Sequence, residues 1–395
     1  MENFKIYNIG GSCCNHFTKF VDGKEIFIKE IDKKIQGVDN GYKKFFYEIE
    51  HMKKYAGTGL FVPILYIQDN GEKYSVGMEN CYGGATLSDL IRNSCVNEQY
   101  FKDSFSFVLD QLYERLYSDI FSLKPAEDYI NKCYFNRIID RITYIKKNNL
   151  IEKYGFSNVL PNIIENGCYI NGEYYPPLQD YIVYLQADVT LKRCLDILYT
   201  CNTHYDLCPL NILVDPDFSY NRILNFKLID VRGENETGKE YRHFMYDMGK
   251  MLLGLDCFDI FRIFNGKIEK VCYNYQIEYR DNNIVDIKFS FLPESIIVKR
   301  YKMAYEYFWE HMFDRNFYKE QMKDTMDNLK TKFMFSHSMM YHPDIPCRII
   351  YEKDENMAIL LYMRGMIMIR KFMEEFYGRD PVGGFTDNID IWEGV

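Results

Sequence analysis

The chain has 395 residues, 47% of them hydrophobic, which is ample for a packed core and favours two lobes or domains over one small one. A net charge of −9 argues against nucleic acid as the main partner, and no apolar run reaches the roughly 18 residues that span a bilayer. The twelve cysteines include no C-x-x-C pair, so they read as reduced, mostly buried thiols rather than zinc ligands.

The N-terminal "MENFKIYNIGG" has no apolar signal-peptide core, which points to a cytoplasmic protein. Apolar and polar residues alternate on both sides of Gly10, Gly11 and Ser12, and Asp22-Gly23 separates two further strand-like runs, so two hairpins are predicted in succession. A glycine pair at a strand turn lets backbone N–H groups approach phosphate oxygens, and Lys29 on the third strand suits the α- and β-phosphates of a nucleotide. Taken alone, the same residues also fit an ordinary turn and strand. Next, "GYKKFFYEIEHMKKYAG" places Phe45, Ile49 and Met52 at helical spacing. Glu48 and Glu50 are both candidates to pair with Lys29, and Glu48, adjoining the buried Ile49, is favoured. Two strands follow around an Asn70-Gly71 turn, then an extended "MENCY" segment in which the backbone of Glu79 to Cys81 suits an adenine edge. Thr86 or Ser88 caps the helix after it.

Residues 104–121, 134–152 and 178–201 read as helical, with loops near 33–41 and 153–178 and a short hairpin or loop in "CYINGEYYPPLQDYI". The last of these helices is expected to run into "THYDLCPLNILVD". There His204, Asp206 and Asn211 precede a strand, and a second strand, "RILNFKLID", ends on Asp230. A hairpin of those strands brings the groups together. Asp206 then suits a proton acceptor for an attacking hydroxyl, Asn211 and Asp230 offer the oxygen ligands that magnesium prefers, and His204 supports the loop. A pair of ordinary polar loops is the alternative. Residues 266–395 read as largely helical, broken at "YHPDIPCR". In that break Asp344 either caps a helix and pairs with Arg348, or His342, Asp344 and Arg348 face sugar hydroxyls within reach of Asp206.

Several stretches taken together resemble the protein-kinase-like superfamily on its small-molecule side. They are "GGSCCNHFTKFVDGKEIFIKE", "EIEHMKKY", "SVGMENCYGGATLSDLI", "INGEYYPPL", "HYDLCPLNILVD", "FKLIDVRG" and "YDMGKMLLGLDCFDIF", and more weakly "FSHSMMYHPDIPCR". The resemblance is to aminoglycoside and choline phosphotransferases, and more closely to bacterial phosphotransferases of capsule or surface-polysaccharide biosynthesis. It implies an α+β, bilobal fold. Residues 1–82 would form an antiparallel-sheet N-lobe with one helix, 83–265 a mostly helical C-lobe with the catalytic loop and metal site, and 266–395 a helical extension on the acceptor side.

The resemblance further implies ATP and Mg2+ as cofactors and a small hydroxyl-bearing acceptor, a sugar or polyol. Gly10, Gly11, Ser12, Lys29, Glu48, Glu79 and Cys81 would surround the nucleotide, with Glu48 as the ion-pair partner of Lys29. Asp206 would be the base, with His204 beside it, Asn211 and Asp230 the magnesium ligands, and Asp247 a brace behind the catalytic loop. Two departures stand out. Tyr205 occupies a position where close relatives usually carry glycine, and "IDVRG" lacks the Phe of a protein-kinase D-F-G. No activation segment ending in A-P-E is recognisable, which argues against a protein substrate. The leading reading is an ATP-dependent kinase of a small molecule or glycan intermediate. The alternatives are a catalytically silent kinase-fold binding protein and a nucleotidyl or protein-directed transferase.

Overall fold

A computed structural model describes residues 5–7, 13–35, 41–264, 272–280, 284–314 and 324–383. The expected phosphate turn, Gly10, Gly11 and Ser12, lies outside the described residues. The fold is α+β, with a small antiparallel sheet and a helical bulk. The chain forms two compact units, each from two stretches: Met1–Lys124 with Tyr199–Asp247, and Pro125–Leu198 with Met248–Val395.

The first unit is built on strands β1 (Lys5–Tyr7), β2 (Asn15–Val21), β3 (Lys24–Asp32), β4 (Ile64–Asp69) and β5 (Lys73–Glu79), in the order β1-β2-β3-β5-β4. Every pairing is antiparallel. Asp22 and Gly23 both take positive φ, 49° and 77°, as the tight turn joining β2 to β3 demands. Helix α1 (Gly41–Lys54) covers the sheet with Phe45, Ile49 and Met52, all buried. Phe45 meets Tyr74 of β5 edge-on at 5.5 Å. Of the two expected caps, it is Thr86 that closes a reciprocal capping box with Asp89 at the start of helix Leu87–Arg92. The strands Ile212–Val214 and Phe226–Leu228 form the expected hairpin.

The expected continuous helix over 178–201 is two helices, Leu178–Ala187 and Val189–Leu195. Asp188 breaks it, because its side chain accepts the N–H groups of Thr190 and Leu191 and so starts a new helix. His204 is entered not from a helix but from a short strand, Thr200–Cys201, paired with Ile120–Ser122.

In the second unit the expected loop over 153–178 contains a helix, Val159–Asn166, and of the two forms expected for "CYINGEYYPPLQDYI" the hairpin is present, Cys168–Ile170 with Glu173–Tyr175. The hairpin turns on Asn171 and Gly172 at φ 51° and 90°. The stretch expected to be helical beyond residue 266 also holds a strand pair, Tyr273–Tyr279 and Val285–Phe291. Its inner strand joins Cys168–Ile170 in parallel, giving a four-stranded sheet. The Asn171 side chain locks this junction by accepting from the N–H of Phe289 and donating to its carbonyl, each at 2.8 Å.

Helix Glu355–Tyr377 forms the core of this unit and is buried on nearly all sides. Its Arg364 is itself buried and donates through Nε to Asp256 at 2.8 Å. Asp256 also accepts the Tyr341 hydroxyl, which in turn takes a hydrogen bond from His337 Nε2 at 2.7 Å. Removing one member of a buried ion pair leaves the other charge uncompensated, at about 3–5 kcal/mol. Asp256→Leu is therefore expected to lower unfolding stability by about that amount in urea titrations. A loss under 1 kcal/mol would show that Arg364 finds other compensation.

Candidate active site

His204 is fully buried and belongs to the scaffold of the loop. Its Nε2 donates to the carbonyl of Ile229 at 2.8 Å, and its Nδ1 accepts the N–H of Asp206 at 3.3 Å. Both ring nitrogens are thus used to tie the loop to the segment that carries Asp230. These contacts give His204 a positioning role in the loop. Burial depresses its pKa to about 4, so the ring is neutral at pH 7.

Behind the loop, the buried carboxylate of Asp247 accepts two backbone N–H groups, from His204 at 2.7 Å and Tyr205 at 2.6 Å. Arg242, also buried, donates to the carbonyls of Arg232 (2.9 Å) and Thr203 and to Thr237 Oγ1 (2.8 Å). Between these two braces Tyr205 has φ 64°, in the left-handed region that suits glycine and strains a bulky residue. Its ring lies flat on Tyr246, centroids 4.0 Å apart and planes within 4°, with the Arg242 guanidinium 5.3 Å away. Stacking and two buried braces offset the backbone strain.

Asp206, partly exposed, follows this turn. Asn211 Nδ2 donates to the Asp206 carbonyl at 2.9 Å, which leaves Asn211 Oδ1 to act as an oxygen donor. The Asn211 carbonyl accepts the N–H of Ile229 at 3.1 Å, so the backbone sets residue 211 beside the neighbour of Asp230. Asp230 itself takes φ 58°. Among the described residues no group of three or more His, Cys, Asp or Glu side chains gathers around one point to hold a metal. Two oxygens, one amide and one carboxylate, nevertheless suit Mg2+, which keeps several waters and takes further ligands from phosphate.

Lys29 joins three elements. From β3 its Nζ donates to both oxygens of Glu48 on α1, at 2.9 and 2.7 Å, and to Asp230 at 2.6 Å. Glu50 instead pairs with Lys53. Burial opposes the charge on Lys29, yet the carboxylates of Asp230 and Glu48 outweigh it and hold the ammonium protonated. Desolvation alone would raise Asp230, but Lys29, then His16, hold it down at about 2. Glu48 is pushed up to about 8 by burial against the pull of Lys29, with the Asp230 charge adding to the rise. One ammonium thus serves two carboxylates, and the second is short of positive charge.

The expected adenine edge is partly committed. The Glu79 amide donates to the Pro63 carbonyl at 3.0 Å, so its N–H is already used within the protein. Cys81 is buried at the start of a tight turn in which Tyr82, Gly83 and Gly84 all have positive φ. Arg232 is a site residue that the sequence reading missed. Its Nε lies 3.8 Å from the Asp206 carboxylate, its Nη1 3.1 Å from Glu236, and its N–H donates to the His204 carbonyl at 3.0 Å. The only sequence signal was an arginine two residues after Asp230.

His342, Asp344 and Arg348 lie in the other compact unit. His342 is fully buried, edge-on to Tyr362 at 5.3 Å and so close to Gly365 that a Cβ there would clash with its ring. Asp344 pairs with Lys250 at 3.0 Å and makes no capping bond, while Arg348 binds Glu352 and lies over Phe258. Neither the expected Asp344 cap nor an Asp344–Arg348 pair is present, and all three side chains are engaged within their own unit. Packing against Lys250, Glu352 and Gly365 gave each a nearer partner than a neighbour in the motif.

Burial keeps His204 neutral down to about pH 4 and His51, in α1, down to about 2, whereas an unfolded histidine titrates near 6.5. Between those values the unfolded chain binds protons that the folded chain refuses. The stability these groups contribute is complete above about pH 6.5 and is lost as pH falls towards 4. Denaturation midpoints are expected to drop steadily across that window, and less steeply in a His51→Leu variant. A midpoint independent of pH there would contradict the neutral assignment.

No protein-family model matches the chain, and no curated protein matches it in sequence. Among solved structures it is similar to a candidate aminoglycoside phosphotransferase from Ralstonia eutropha JMP134. That match has 12% identity and a TM-score of 0.41, over 96% of this chain and 93% of the other. A likeness so remote bears on neither activity nor substrate.

Proposed function

We propose that this protein is an ATP- and magnesium-dependent phosphotransferase that moves the γ-phosphoryl group to a hydroxyl of a small molecule or glycan intermediate. The observation that carries the reading is the convergence of Lys29, Glu48 and Asp230 at 2.6–2.9 Å, on the segment whose backbone also holds Asn211 and Asp206. Buried lysine–carboxylate pairing of this kind holds an ammonium rigid and charged, ready for phosphate oxygens.

Asn211 Oδ1 and the Asp230 carboxylate would hold the metal, and Lys29 would donate to phosphate oxygens. Bound magnesium would supply charge neutralisation at the transferring phosphate. Asp206 accepts the proton as the acceptor oxygen forms its bond to phosphorus and the bond to the β-phosphate oxygen breaks, releasing ADP. Asp247, Arg242 and His204 hold the Asp206 loop still during that transfer, which is positioning rather than chemistry. The finer reading, a sugar or polyol acceptor in capsule or surface-polysaccharide biosynthesis, is supported by the resemblance of the sequence motifs alone. No described helix is long and apolar enough to cross a membrane.

Wild-type protein is expected to be stabilised against heat by millimolar ATP with Mg2+, and Asp230→Ala to lose the magnesium-dependent part of that shift. The absence of any shift in the wild type would favour a silent binding protein. Asp206→Asn is expected to leave ATP affinity nearly unchanged while turnover falls by about 10²–10⁴, the range for a positioned general base. An unchanged rate would remove Asp206 from the mechanism. Mass spectrometry of the product would separate phosphoryl from nucleotidyl transfer.

A further inference from the structure

His16 was not among the residues expected at the site. It sits on β2 directly across from Lys29 on β3. Directly opposed residues of an antiparallel pair project from the same face, so His16 and Lys29 share one surface of the sheet. Phe27, two residues before Lys29, is on that face too, and the His16 ring stacks on it at 5.8 Å with the planes 23° apart. The ring is only 4% exposed. Such a contact uses the flat of the imidazole, whereas its nitrogens lie on the edge, so the stack sets the orientation of the ring.

Lys29 and His16 thus set an ammonium and an imidazole side by side on the face of the sheet that also meets Asp230, a pairing suited to phosphate oxygens.

We propose that His16 is a phosphate-binding residue of this site, donating a ring N–H to the β- or γ-phosphate of a bound nucleoside triphosphate beside Lys29. The proposal rests on the phosphotransferase reading above and assigns one further side chain to its polyphosphate. A histidine at this position gives a directional donor where an aliphatic residue on the same strand would give only packing.

The test is calorimetric titration of Mg-ATP and of AMP into the wild type, His16→Phe and His16→Gln. Phe keeps the stack on Phe27 and removes both nitrogens, and Gln keeps a donor. A hydrogen bond to a charged group contributes about 1.5–3 kcal/mol, so His16→Phe should weaken Mg-ATP binding about tenfold or more. AMP, which lacks the outer phosphates, should bind as before, and His16→Gln should retain part of the ATP affinity. Equal weakening of AMP and ATP would make His16 a platform for the base and overturn the proposal. Unchanged ATP binding in both variants, each shown folded by its thermal midpoint, would overturn it while leaving the phosphotransferase reading intact. Wild-type protein that binds no Mg-ATP would remove that reading, and this proposal with it.

Discussion

The ammonium of Lys29 lies between two carboxylates that follow it in the chain, 19 and 201 residues away. Burying a charge is tolerable only when it is paired and hydrogen-bonded, and here each donor direction is met. The consequence is geometric. Strand β3, helix α1 and the segment ending the Phe226–Leu228 strand cannot shift independently without leaving a buried charge unpaired. Because Asp230 is the least buried member, with 41% of its side chain exposed, it is also the member a ligand can recruit. The arrangement is stable as it stands, with both Glu48 oxygens held by Lys29.

A second set of bonds depends on that anchor. With Asp230 placed, the neighbouring Ile229 offers its carbonyl to His204 and its N–H to Asn211. The loop between them is then braced from behind by Asp247 and Arg242, both buried. This explains how a tyrosine stands at position 205 in a backbone conformation that favours glycine. The ring does not point into the loop but lies against Tyr246, on the helix Phe244–Leu253 that also provides Asp247. The strain of a tyrosine in that conformation is thus absorbed by packing, and the Asp206 carboxylate beside it is partly exposed.

The second compact unit is organised by different means. Its longest described helix is buried on almost every side, so charges on it must find partners inside, as Arg364 does with Asp256 and Arg370 with Glu173 and Glu374. The side chains that looked like acceptor contacts in "YHPDIPCR" are consumed by the same demand, since the buried Lys250 needs Asp344 and an arginine beside Phe258 needs Glu352.

Local chemistry was legible in the sequence. The Asp22-Gly23 and Asn70-Gly71 turns, the apolar stripe of α1, the hairpin after Asn211 and the preference for Glu48 over Glu50 follow from neighbours within a few residues. Turn propensity and side-chain period act over that distance, so a single chain can be read for them. What escaped was set by partners far along the chain or by competition for a partner. The strand pair over 273–291 was absorbed into a helical expectation although its period is two, because its parallel neighbour lies more than a hundred residues earlier. Asp188 broke a helix that periodicity alone would have continued. The nearness of Arg232 to Asp206, and of His16 to Lys29, depends on the register of strands and on a left-handed turn at Asp230. The sequence by itself determined which residue types stand at which spacing. Only the tertiary structure decided which charges meet, because a buried charge takes whichever partner the packed backbone brings nearest.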